Sequence, residues 1–223
     1  MMKNLKHQRT YISKSTTLEK LVVIGSPLTL GTLEIWHPVG SQSQTAFEAI
    51  LPKINWWITL HILQLPLFGL MALAVFLLVR NLPGKAAIIS RVGISFFVVF
   101  YTALDSITGI ASGILIHHAQ NLSPNVQAFV AQQVSLFFFS PLVGGGTYSL
   151  IGILGAGGWL VGVTAAAFAL LKAGVSFLPV MLLILAGVFF GISHVPPTGP
   201  LGLGSFFLAT IMISFPTNNQ QKL

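Results

Sequence analysis

From Asn55 to Val79 the chain runs without a charged side chain, and several other stretches are nearly as apolar. About 20 such residues cross a bilayer as a helix, and in hydrocarbon every backbone N–H and C=O must find a partner within the protein. Only helical bundles and closed β-barrels meet that demand. The apolar runs here are continuous rather than alternating, which selects helices. Charged residues make up 7% of the 223, against roughly 25% in soluble domains. Mean hydropathy is +0.85, and there is too little charge to solvate a globular surface.

The predicted fold is therefore all-α, a single polytopic transmembrane bundle of about six spans at residues 18–36, 55–80, 88–117, 147–171, 176–194 and 201–215. Residues 1–17 form a basic tail and 216–223 a polar one. The first apolar run has the basic flank of a signal peptide, but no small-residue cleavage site follows it, so a retained span is expected. Ser123-Pro124 is a helix start, and the polar and apolar residues of 124–139 alternate at helical spacing, which predicts an interfacial helix. The connector 37–54 has room for one short interfacial helix. The Gly- and Ala-rich run near 150–170 suits close helix packing, and it has neither the strand nor the lysine of a phosphate loop.

Net charge is +7. The basic residues do not cluster on a soluble module, so nucleic acid is not an expected partner; the lipid bilayer is. With both termini in the cytoplasm, the cytoplasmic segments hold Lys3, Lys6, Arg9, Lys14, Lys20, Arg80, Lys85, Arg91, Lys172 and Lys222, and only Lys53 falls outside. Trp36, Trp56 and Trp57 then fall at the outer interface. This places the protein in the cytoplasmic membrane. There are no cysteines, which excludes disulfides, thiol catalysis and Cys-ligated metals.

Asp105, the only aspartate, sits within the third apolar stretch. A charge at mid-bilayer costs at least about 2.5–3.5 kcal/mol, so such residues usually face a bundle interior and mark function. Tyr101, Asp105, Thr108 and Ser112 form one helical stripe, with Ser106, Gly109 and Gly113 on an adjacent stripe of small residues. Trp57, His61, Gln64 and Phe68 share a face of the second stretch, with His61 roughly 9 Å deep at 1.5 Å per residue. The topology puts Glu34, His37, His117, His118 and His194 on the outer side as well. Asp105 and His61 are expected to face each other in an outward-facing polar pocket with Glu34, His194, Tyr101 and Gln64. His37, His117 and His118 are expected to be ordinary interfacial residues.

The favoured function is binding or transport of a small solute, proton or cation, because Asp and His tune each other's proton affinity when buried. A chain this small without an internal repeat would have to form a homodimer for alternating access, or act as an accessory subunit. The first alternative is a metal-dependent intramembrane hydrolase, with His61, Asp105 and His194 as candidate ligands and zinc as the metal. Asp105, Ser106, His61 and His194 resemble the Ser, Asp and three-His set of ceramidase-like membrane hydrolases. The likeness stops at these residues, since the paired His-x-x-x-His and the seven spans of those enzymes are lacking. A second alternative is a structural or assembly protein without a site. Haem has one candidate ligand pair, His61 and His194, and no second pair for a transmembrane electron path. Gly191-Ile-Ser-His194 is not the nucleophile turn of a rhomboid protease. No cofactor belongs to the favoured reading.

Overall fold

The structure, a computed structural model, describes residues 16–40, 45–144 and 149–215. The basic tail, the polar C-terminal tail and the start of the fourth expected span lie outside them. The described residues are helical, without strands: α1 Thr17–Ile35, α2 Ala46–Val79, α3 Lys85–Ala119, α4 Pro124–Phe139, α5 Leu150–Lys172, α6 Phe177–Ile192 and α7 Thr198–Ser214. The helices α2, α3 and α5 are long and apolar enough to cross a membrane; α6 and α7 are apolar and shorter.

Local chemistry sets the ends. Thr16 and Glu19 form a reciprocal capping box at α1, as do Thr45 and Glu48 at α2. That second box explains why α2 begins about ten residues before the expected span. The segment read as connector joins it through a 3-10 turn at Leu51–Lys53, where Pro52 occupies a position that needs no N–H donor. Pro124 takes the first position of α4 as expected, but the Ser123 side chain makes no capping bond. At the turn between α2 and α3, Gly84 takes φ 98°, the left-handed region glycine favours. There Arg91 donates to the carbonyls of Val79, Arg80 and Leu82, and Arg80 pairs with Glu19.

Helix α5 packs against the first half of α3 and against α6; α6 packs on α7, α7 on α1, and α1 on α2. The small residues of α5 serve the close packing expected of them. A Cβ on Gly158 would stand 2.6 Å from the Phe97 backbone nitrogen and 2.7 Å from the Gly93 carbonyl. The main core is aromatic. Phe68, Phe97, Trp159, Phe190 and Phe206 are fully buried in edge and tilted contacts, and Trp159 Nε1 donates to the Ala186 carbonyl at 3.1 Å. A smaller core of Phe47, Ile50, Ile54, Trp57, Ile116 and Val134 joins α4 to the first turns of α2 and the end of α3. Otherwise α4 is mostly exposed, with Phe129 and Leu136 turned outward.

Two expectations change in detail. Trp57 is not at an interface: it is buried, and its Nε1 donates to the Gly109 carbonyl at 2.7 Å, tying α2 to α3. Helix α3 is not regular. It widens into π-helix at Phe97–Tyr101 and again at Asp105–Ala111. Thr102, Ser106, Thr108 and Ser112 donate their hydroxyls to backbone carbonyls four or five residues earlier, the kind of local competition that bends helices. Such bulges are frequent at functional sites, and here Asp105 opens the second of them, just past the end of the first.

Candidate metal centre

The end of α1 carries Glu34, and the chain turning off that helix carries His37, three residues on and therefore on the same side. The face of α2 opposite brings His61 and Gln64. Helix α3 brings Tyr101 and Asp105 from its two widened segments. Past the end of α6, His194 closes the ring. Glycines allow the approach. A Cβ on Gly109 would stand 2.0 Å from His61 Cδ2, and one on Gly199 would collide with the His194 carbonyl.

Every site residue expected from the sequence converges here. Glu34 and Gln64 are completely buried, and His61, Asp105 and Tyr101 nearly so. His61 and Asp105 do face each other, with Nε2 and Oδ1 3.7 Å apart. His37, expected at the interface, belongs to the same cluster. Its ring centroid lies 5.4 Å from that of His61 and 5.0 Å from that of His194. His117 and His118 lie apart and exposed at the end of α3.

The hydrogen bonds fix which atoms point inward. His37 Nδ1 lies 3.0 Å from the Pro38 carbonyl and His61 Nδ1 2.7 Å from the Trp57 carbonyl. A carbonyl only accepts, so both Nδ1 atoms carry the proton and both Nε2 atoms present a lone pair. His194 Nδ1 pairs with the Tyr101 hydroxyl at 2.8 Å. Gln64 Nε2 donates to Glu34 Oε1. Burial pushes His37 down to about 4, so its imidazole is neutral at neutral pH and can act as a ligand.

What remains is a set of inward atoms without a partner among the described residues: Glu34 Oε2, His37 Nε2, His194 Nε2, Asp105 Oδ2 and Gln64 Oε1. A buried polar group left unpaired costs about 1–3 kcal/mol, so a set of them in one cluster of side chains points to a ligand. One ligand atom each from Glu34, His37 and His194 lies within 4.8 Å of the others. Bonds of about 2.0–2.2 Å to zinc would close that triangle with side-chain shifts of about an ångström. Backbone carbonyls on the Nδ1–H side are the usual support of metal-binding histidines. The residue pattern alone nominates His61, Asp105 and His194 as metal ligands; geometry groups His194 instead with Glu34 and His37 and leaves His61 and Asp105 beside them.

A cavity of about 280 Å³ opens onto the cluster. Its polar wall is His37, His61, Tyr101, Asp105, Thr108 and His194, and its apolar wall includes Val39, Ala49, Ile50, Leu104 and Phe138. Among the described residues, no lysine or arginine lines it. Beneath the cluster, toward the turn between α2 and α3, the ring of Phe68 meets that of Tyr101 at 5.0 Å and the aromatic core begins.

No protein-family model, no curated protein and no solved structure matches this chain.

Proposed function

We propose that this chain is a multi-pass integral membrane protein that binds one divalent transition-metal ion, with zinc the best fit, through Glu34, His37 and His194. The observation that carries this is that Glu34, His37 and His194 each bring a ligand atom within 4.8 Å of the others, and that each has a buried oxygen or nitrogen without a partner among the described residues. Two imidazoles and a carboxylate suit zinc, and His37 and His194 also line the cavity, so a small ligand could reach an ion held there.

The site is one-sided. Closely packed aromatic rings of Phe68, Phe97, Trp159 and Phe190 lie beneath it, so binding, rather than passage through the bundle, is the favoured role of this conformation. The six-span arrangement, with both termini in the cytoplasm and the pocket facing outward, is supported by the distribution of basic residues. On that topology the membrane is the cytoplasmic membrane and Lys85 is protected from an impermeant amine reagent applied to intact cells.

The binding test is direct. Protein purified in detergent, stripped with chelator and dialysed against zinc should retain one ion per chain by elemental mass spectrometry, and Glu34→Gln, His37→Ala and His194→Ala should each abolish retention. Wild-type protein that keeps no zinc, cobalt or manganese would refute the proposal.

A further inference from the structure

The structure holds a second pair of buried groups that metal binding does not use. His61 Nε2 and Asp105 Oδ1 face each other at 3.7 Å, too far for a hydrogen bond, and both line the cavity together with His37 and His194, two of the three ligands. With its Nδ1 proton committed to the Trp57 carbonyl, His61 offers a lone pair. Asp105 Oδ2 is unpartnered as well. The His61 lone pair and the Asp105 carboxyl are thus held side by side on the cavity lining, where one water molecule can reach both. We infer that the centre is hydrolytic, and that His61 and Asp105 form the base that takes a proton from a water attacking the acyl bond of an uncharged amphiphile; an ion held by the three ligands would supply Lewis acidity there.

This inference rests on the metal reading above. It selects the substrate class from the cavity. The lining combines polar side chains with aliphatic and aromatic ones, which fits a molecule with a polar reacting group and an apolar chain. Among the described residues, the wall has no lysine or arginine to neutralise a phosphodiester, so a neutral carboxylic ester or amide is the better match. Val39, Gly40 and Thr45, all exposed, stand at the rim, where α1 ends and α2 begins.

The reaction balances without any further reagent. The base pair would remove one proton from a water in the cavity, and the resulting hydroxide would form a new C–O bond to the carbonyl carbon. The carbon–heteroatom bond then breaks, and the leaving alcohol or amine takes the proton back from the base pair. One ester or amide and one water become one carboxylic acid and one alcohol or amine. With His194 Nε2 as a ligand atom, its Nδ1–H would donate to the Tyr101 oxygen, which would free the Tyr101 O–H to donate to the oxygen of the carbonyl under attack.

The experiment measures zinc content and 4-nitrophenolate release on the same detergent-solubilised samples, with 4-nitrophenyl acetate and 4-nitrophenyl decanoate as probes. Zinc-loaded protein should cleave the decanoate faster than the acetate, and chelator should stop both reactions. His61→Gln and Asp105→Asn should keep the zinc and the melting temperature while losing about 10²–10⁴-fold in rate. Ala49→Trp, which narrows the apolar wall, should slow the decanoate more than the acetate. Three results would overturn the inference while leaving the metal reading intact: zinc retained with no rate above zinc-free protein, wild-type rates in a folded His61→Gln or Asp105→Asn variant, or no preference for the long chain. Should one of those variants fail to fold, the other decides. Loss of zinc retention in the wild-type protein would instead remove the metal reading itself, and this inference with it.

Discussion

The same helices build two very different interiors. In the core around Trp159, rings pack edge to face and the indole N–H finds the Ala186 carbonyl. Around His37, buried oxygens and nitrogens from α1, α2, α3 and the chain after α6 meet with their inward atoms unpaired. The first region gains stability from packing alone. The second sacrifices some of it, as the proposed metal site would require of its polar groups.

Substitutions can break that contrast. The largest stability loss should come from Trp159→Ala, which removes the centre of the aromatic core. A drop of about 3–5 kcal/mol is expected from equilibrium unfolding in detergent, with zinc stoichiometry unchanged in the folded fraction. Next, His194→Ala should cost more than about 100-fold in zinc affinity by competition with a chelating dye, yet leave the melting temperature of the zinc-free protein near that of wild type. If this substitution unfolded the protein as Trp159→Ala does, the two regions would not differ in kind. Gln64→Leu should have an intermediate effect, because Gln64 orients Glu34 without itself being a proposed ligand. A loss of about 10–100-fold in zinc affinity is expected. The smallest effect belongs to Glu19→Gln. The pair with Arg80 is partly exposed and screened by solvent, so its loss should leave the melting temperature near that of wild type and zinc binding untouched.

The helices are legible in the sequence because in lipid the solvent imposes one rule on every stretch: apolar outside, backbone bonds satisfied inside. All six apolar runs contain a helix, and the amphipathic run 124–139 is one too. The early start of α2 is hidden by the polar look of its first turns, although its capping box, Thr45 with Glu48 three residues on, is there to be read. His61 and Asp105 announce themselves as ionisable residues in apolar surroundings. His37 does not, because a histidine beside a turn is usually an interfacial residue. Its Glu34-x-x-His37 spacing is the available signal. Trp57 misleads for a related reason: a tryptophan near a helix end resembles an interfacial anchor unless its N–H partner, the Gly109 carbonyl on another helix, is known.

By itself, then, the order of residues determined where the helices form, since hydropathy and end-capping act over a few neighbours. It also determined that a few ionisable side chains had to be hidden. Which of them meet was decided only in three dimensions. The gathering of Glu34, His37 and His194 depends on where α1 and α6 end relative to each other, and the approach of Asp105 to His61 depends on two widened turns in α3 and on the missing side chain at Gly109. Those are consequences of packing between segments far apart in the chain, and no local pattern encodes them.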